Sequence, residues 1–337
     1  MNGILQRITE KKHKLDTHKP LPAELVKNLE EWLKVELTYS SNAIEGNTLS
    51  RIETAEVIEK GISSVISGKP LKDQLEAINH AKAVEFIKQL STIRKSHQFI
   101  TQKDILDIHK IILTGIDDNW AGKYRNTEVF VRGSNTEFPL PRLIPLEMSK
   151  FIEWLEGQQE FHPVQVAVDA HCRFVAIHPF VDGNGRTTRL LMNLILQIHG
   201  YPMTVIRNED RTAYMNSFEI AGTKRSFEPF YKLIFSAVER SLDMYLNGLE
   251  NKQPVLDQFE TKQETKLLKI GELAKITCET IHTLRYWTKE GLLKVSDYTK
   301  GGYQLYNQIS VDRVKKIRTL QMEKRLSLTE VKRALAG

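Results

Sequence analysis

Cysteine is scarce in this sequence. Cys172 and Cys278 are the only two in 337 residues, far apart and without CxxC spacing, so neither a disulfide framework nor a thiolate zinc site is indicated. Long apolar runs are missing as well, and none approaches the length of a membrane span. The opening stretch MNGILQRITEKKHKLDTHK is charged throughout and lacks the apolar core of a signal peptide. No glycine-rich loop leads into GKS or GKT, which excludes a Walker-type phosphate loop. The expectation is a protein of the reducing cytoplasm, without membrane contact.

What is present reads as globular rather than disordered: 41% of residues are hydrophobic and 27% charged, in a chain long enough for more than one domain. The net charge of +6 is unevenly placed. From Lys262 onward there are 16 Lys and Arg against 8 Asp and Glu, leaving 32 against 34 before it. The basicity belongs to the last quarter of the chain, a hint of nucleic-acid contact there.

The most informative stretch is HPFVDGNGRTTR, residues 178–189. Gly183 and Gly185 permit positive φ and close approach of backbone N–H groups to a ligand. The spacing of Leu190, Leu191, Leu194, Ile195 and Ile198 predicts a helix starting near Arg186, so the turn ends at a helix N-terminus, where unpaired amides and the dipole favour an anion. Arg186 and Arg189, three apart, project from one side of the first turn. Asp182 is a hard oxygen ligand suited to Mg2+ shared with substrate phosphates, and a neutral His178 could accept a proton from an attacking hydroxyl. The string reads as a phosphate site; the alternative is a polar loop-helix junction in which the arginines pair with carboxylates and His178 is a core residue.

This string resembles the Fic signature HxFx(D/E)GNGRxxR at every fixed position. The resemblance implies transfer of AMP from ATP to a protein Ser, Thr or Tyr hydroxyl, self-modification included, by an all-α core with a short β-hairpin flap. It implies His178 as base, Asp182 holding Mg2+, Gly183, Asn184 and Gly185 stabilising charge at the α-phosphate, Arg186 on the β-phosphate and Arg189 on the γ-phosphate. Ser41 to Gly46 fits the family's inhibitory pattern (S/T)xxxE(G/N), at the end of a helix over about 22–46. By that resemblance Glu45, grouped with Ser41 and Gly46, pairs with Arg189 and blocks the γ-phosphate; on its own, a Glu before a Gly reads as a solvated helix end.

Elsewhere in the first 247 residues the pattern is helical. Leu25, Leu29, Trp32, Leu33 and Leu37 form an apolar stripe, helices are expected over 52–67 and 71–90, and Thr101 reads as an N-cap before a helix that stops at Gly115. His80, His109, His162 and His171 lack partners at metal spacing and read as structural or surface histidines. The segment AGKYRNTEVFVRGSNTEFPLPRLIP predicts the hairpin, with strands at Val129–Val131 and Phe138–Leu140. In Fic proteins this flap covers the nucleotide and adds a target strand, which implicates Val131, Arg132, Gly133 and Ser134. Tyr214 aligns with a family tyrosine near the adenine, or is a core tyrosine; Ala213 and Ala221 depart from the family pattern there.

The domain reading is an N-terminal helical region at 1–95, the catalytic core at 96–247, a polar linker at 248–265 and a second, smaller domain at 266–337. The last resembles the winged helix-turn-helix of the MerR family. Thr283, Arg285 and Tyr286 would lie on or near the recognition helix, with Lys300, Tyr303 and Tyr306 around the wing; a helical protein-docking module is the alternative. MerR regulators continue into a dimerising helix, so a homodimer, if there is one, is expected to form elsewhere. Three other functions fit the same residues: removal of AMP from a protein, with Glu45 positioning water, transfer of another phosphate-linked group, or a nucleotide-sensing DNA-binding regulator.

Overall fold

The computed structural model describes residues 2–61, 66–130, 137–224, 226–250, 267–277, 279–299, 302–322 and 330–331. The chain divides into two compact units, Met1–Pro254 and Val255–Gly337. In the first, the described secondary structure is helical: α1 (Asn2–Asp16), α2 (Ala23–Ile44), α3 (Arg51–Lys60), α4 (Leu71–Ile93), α5 (Gln102–Leu113), α6 (Ile144–Glu156), α7 (Pro163–Ile177), α8 (Asn184–Ile198), α9 (Arg211–Lys224) and α10 (Glu228–Leu249).

The unit is built around α8. Leu190, Leu191, Met192, Leu194, Ile195 and Leu196 are all fully buried, and a helix apolar on every side has to be surrounded. Helices α7, α4, α5 and α2 surround it. The surrounding helices start where the local chemistry allows. Thr101 and Ser50 make capping boxes with Asp104 and Glu53 at the starts of α5 and α3. Pro163 opens α7 at a position that needs no N–H donor.

Helix α2 carries a mixed face into this packing. Leu29, Leu33 and Leu37 are buried at a spacing of four, and beyond them Thr38, Ser40, Ser41 and Asn42 are buried too. An apolar stripe drives the first turns against the bundle, while the last turns bring polar groups to the N-terminal end of α8. Leu25 and Trp32, expected in the stripe, are only half-buried.

The expected β-hairpin is not formed by its described limbs. Residues 127–130 and 137–140 belong to no ladder, and the turn between them, with Val131, Arg132, Gly133 and Ser134, lies outside the described residues. Pro139 denies the returning limb an N–H donor, and Pro141 ends it by opening a 3-10 turn, Pro141–Leu143. The carbonyls of Thr127 and Pro139 are instead taken by the Arg125 guanidinium, at 3.0 and 2.6 Å.

The second unit holds α11 (Ile270–Thr277), α12 (Ile281–Lys289), α13 (Gln308–Met322) and three short strands, β1 (Leu268–Lys269), β2 (Asp297–Tyr298) and β3 (Gln304–Tyr306). The sheet is antiparallel in the order β1-β3-β2, with Leu268 opposite Tyr306 and Asp297 opposite Leu305. Helices α11 and α12 with the β2-β3 wing make a winged helix-turn-helix. Its core is Leu273, Leu284, Trp287, Leu293, Tyr306, Val314 and Ile317. Tyr306, expected at the wing surface, is fully buried, because its hydroxyl bonds Thr288 and Gln304.

Candidate active site

His178 ends α7 in the left-handed conformation, with φ 49° and ψ 60°, the only described non-glycine residue with positive φ. Such backbone costs on the order of 1–3 kcal/mol and persists only where the surroundings hold it. Here the holding is explicit: Arg125 Nε donates to the His178 carbonyl at 2.8 Å and the Arg125 N–H to the Pro179 carbonyl at 2.9 Å. The ring of Phe138 tilts against the imidazole at 4.3 Å. Burial, aided by the positive charge of Arg125, brings the His178 pKa down to about 4, against smaller upward pulls from the Val175 carbonyl, Glu45 and Asp182. The ring is therefore neutral at physiological pH. Nδ1 lies 3.4 Å from the Val175 carbonyl; the tautomer protonated there leaves Nε2 as a proton acceptor.

Between His178 and α8 the chain makes a turn closed by Asn184. Its Oδ1 accepts the Phe180 N–H at 3.0 Å and its Nδ2 donates to the Phe180 carbonyl at 2.8 Å. Both ends of the amide are thus spent on the turn, so the Asn184 side chain shapes the loop, and charge stabilisation falls to the backbone. Thr187 N–H is the first to pair along the helix, with the Gly183 carbonyl, which leaves the amides of Asn184, Gly185 and Arg186 without an acceptor among the described residues, as donors of the first turn. Gly183 is at φ 79° over the ring of His109, and a Cβ there would stand 3.3 Å from that ring.

The cradle is occupied by a carboxylate from α2. Glu45 Oε1 accepts from Arg189 Nη2 at 2.7 Å, and it lies so close to the helix start that a Cβ on Gly185 would come within 2.1 Å of it. Arg189 is 2% exposed and fully engaged: Nε donates to Ser41 Oγ and Nη2 to the Ser41 carbonyl, both at 2.9 Å, and Nη1 lies 3.4 Å from the Tyr214 hydroxyl. Gly46, at φ 99°, turns the chain away from the site directly after Glu45. Tyr214 is itself buried, its hydroxyl shared between Arg189 and His171 Nε2 at 3.0 Å. In this structure it braces the arginine from behind.

Arg186 is also 2% exposed. Glu76 Oε1 lies 3.0 Å from Nη1, yet off the N–H axis, so Nη1 and Nε are buried without a hydrogen-bond acceptor among the described residues. Its Nη2 reaches Asp182 Oδ1 at 3.4 Å. Asp182 is half-exposed, and its Oδ1 also accepts the Gly183 N–H at 2.5 Å. No cluster of three or more His, Cys, Asp or Glu side chains suited to a metal ion is found among the described residues. One carboxylate fits a divalent cation that draws its other ligands from phosphates and water.

Several residues that matter here carry no local signal in the sequence. His109 accepts the Gly122 N–H at Nδ1 and donates from Nε2 to the Asp182 carbonyl at 3.0 Å, its ring stacked on Phe180 at 3.6 Å. It fixes the turn from below. Arg125 and Glu76 act from other segments, and Arg211 Nε donates to the Ile44 carbonyl at 2.8 Å, holding the end of α2 beside Glu45. Only an i, i+3 or i, i+4 pattern would have announced such partners, and these lie tens of residues apart.

In the second unit, Arg285, Tyr286 and Tyr303 are exposed. Thr283 is half-buried, and its hydroxyl is engaged with Thr280 Oγ1 at 2.8 Å at the start of α12. Lys300 lies outside the described residues.

Comparison with known proteins agrees with this geometry. Residues 99–196 match the Fic/DOC family and residues 268–337 the MerR HTH family of regulatory proteins. The chain is 36% identical over 260 residues to a protein adenylyltransferase Fic of Culex quinquefasciatus, covering 76% of this chain and 50% of that protein. It is 36% identical over 238 residues to the protein of the same name from Aedes aegypti, with 69% and 46% covered. The chain spans about half the length of the curated relatives it matches. Among solved structures, Fic-1 (residues 134–508) from C. elegans superposes with a TM-score of 0.64 at 29% identity, covering 73% of this chain and 71% of that one. A Fic-domain signaling protein from Bacteroides thetaiotaomicron gives 0.65 at 28% identity, with 74% and 99% covered.

The buried histidines make the fold sensitive to acid. Burial holds His80 and His171 at about 3, and His109 and His178 at about 4, whereas an unfolded histidine titrates near 6.5. Below about pH 6.5 the unfolded chain binds protons that the folded one does not. Stability is therefore expected to fall as pH drops from 7 to 5, by on the order of 1 kcal/mol per pH unit for each such histidine. Urea unfolding at the two pH values measures it, and an unchanged or higher midpoint at pH 5 would contradict the assignment of neutral, buried rings.

Proposed function

This chain belongs to the Fic family, and we propose that it transfers AMP from ATP to a hydroxyl group of a protein side chain, under restraint by its own Glu45. The observation that carries the reading is a neutral imidazole beside an anion cradle made of helix amides and two buried guanidiniums. In the proposed step the target hydroxyl oxygen attacks the α-phosphorus and its proton passes to His178 Nε2. The bond from the α-phosphorus to the oxygen bridging the β-phosphate breaks, and pyrophosphate leaves. A positioned general base of this kind contributes roughly 10²–10⁴-fold.

The remaining roles follow from the donors in the cradle. The amides of Gly185 and Arg186, at the positive end of α8, suit the charge that develops at the α-phosphate. Arg186, with buried donors to spare, suits the β-phosphate, and Arg189 the γ-phosphate. A divalent cation, Mg2+ by preference, would be held by Asp182 and would neutralise phosphate charge. Glu45 competes for the same charge-assisted bonds and is proposed to inhibit by excluding the γ-phosphate; the serine behind it, Ser41, keeps Arg189 in place. Tyr214 serves Arg189, and adenine recognition is left to other residues, with Val131 to Ser134 proposed to cover the nucleotide.

The second unit we read as a DNA-binding module, on the strength of its helix-turn-helix, its basic charge and the exposed Arg285, Tyr286 and Tyr303. Phosphate contacts need clustered positive charge on an accessible helix.

Replacing Glu45 by Gly should raise self-AMPylation about ten- to hundredfold, the equivalent of one charge-assisted hydrogen bond. Adding Arg189→Ala should remove most of that gain, because the freed group is the ligand-binding one. His178→Ala in the activated background should abolish transfer and leave ATP binding intact. Labelled ATP and equilibrium binding follow both quantities. Unchanged activity in Glu45→Gly would sink the inhibition reading, and ATP affinity lost in step with rate would reassign His178.

DNA retention by the full chain should weaken steeply as salt rises and should weaken further in Arg285→Ala. A gel-shift series from low to moderate salt tests this; retention indifferent to salt or to Arg285 would favour a protein partner.

A further inference from the structure

Arg125 is 3% exposed and makes no ion pair among the described residues. Its guanidinium donates three hydrogen bonds, all to backbone carbonyls of different segments: Nε to His178 at 2.8 Å, Nη1 to Thr127 at 3.0 Å and Nη2 to Pro139 at 2.6 Å. A fourth bond runs from its own N–H to the Pro179 carbonyl. The His178 carbonyl is one that helix termination leaves without a partner, on a residue held at φ 49°. The two limbs at Thr127 and Pro139 are the ones the missing ladder does not join. Beside Pro139, Phe138 lays its ring against the His178 imidazole. The limb that Arg125 fastens therefore also touches the base.

We infer that Arg125 is a positioning residue for the transfer step: its three-way fork ties the limbs at Thr127 and Pro139 to the backbone of His178. The base and the surface at which a target hydroxyl arrives are thereby held in one register. This rests on the transfer reading above. A planar guanidinium reaches three carbonyls in fixed directions, whereas an ammonium on a flexible stem offers its donors from a single nitrogen. Charge alone does not substitute for the fork. Among the described residues none of Arg125's bonds involves α8 or its first-turn amides, so the proposal gives it no part in ATP binding. Misplacement of a reacting group by about 1 Å costs on the order of a hundredfold.

The test uses the full chain with Glu45→Gly as the active parent, and compares Arg125→Lys and Arg125→Met within it. Expected is a fall in kcat for self-AMPylation of about a hundredfold in both, with ATP affinity within about twofold of the parent. Hydrogen exchange at the amides of residues 125 and 178, which bond the Pro179 and Phe174 carbonyls, should quicken in both variants, and this readout does not depend on catalysis. An inactive parent with faster exchange in the variants would count against the transfer reading and for the clamp. An active parent matched in rate by Arg125→Lys would overturn the proposal, as would exchange unchanged in both variants. ATP affinity falling in parallel with kcat would assign Arg125 to the nucleotide site instead. If neither variant folds, as judged by thermal melting, Arg125 is a determinant of core stability and the proposal fails.

Discussion

A guanidinium with 2% of its surface exposed has to be answered by acceptors, and the arrangement of α2, α8 and α9 follows from answering Arg189. Two of its partners are on Ser41, one is the Tyr214 hydroxyl and one is the Glu45 carboxylate. The neutral partners sit deep. Glu45 is the one partly open to solvent, its side chain 36% exposed. A buried charge that loses its sole counter-ion is strongly destabilising, but one that keeps three neutral acceptors can exchange its anion for another. That is the physical basis on which the proposed exchange of Glu45 for a ligand phosphate would leave the helix around Arg189 folded.

The same burial acts on the histidines, and there it does not discriminate. His109, His171 and His178 are all held neutral by desolvation, yet they differ in what their nitrogens are doing. His109 has both engaged, with Gly122 and the Asp182 carbonyl. The Nε2 of His171 faces the Tyr214 hydroxyl at a fully buried position. Of these three, only His178 combines a partly open ring with an Nε2 that bonds to nothing among the described residues. A low pKa marks a buried imidazole; a candidate base is marked by the lone pair left over.

The gap between sequence and structure is clearest at three places. Asn184 reads in the sequence as part of a phosphate-binding turn, and the structure spends its amide on Phe180, because a two-glycine turn needs a strut. His109 looks like an ordinary helix histidine and turns out to support the Asp182 backbone across 73 residues of separation. The hairpin reads plausibly from Val129, Phe130 and the turn residues that follow. Its described limbs are instead joined through Arg125, since Pro139 removes a donor that a ladder would use and Pro141 starts the next turn.

By itself the sequence determined the helical periodicities, the N-cap at Thr101, the glycine-bracketed, arginine-bearing turn of residues 178–189 and the helix-turn-helix pattern of the basic last quarter. Each of these is a local signal, expressed within a few turns of chain, where spacing and residue type are enough. Tertiary structure alone decided that Glu45 lies over Gly185, that Tyr214 stands behind Arg189 and that Arg125 links three carbonyls. Those contacts join segments far apart in the chain, and their geometry depends on how the buried faces of α2, α7 and α8 pack, which no spacing within one segment encodes.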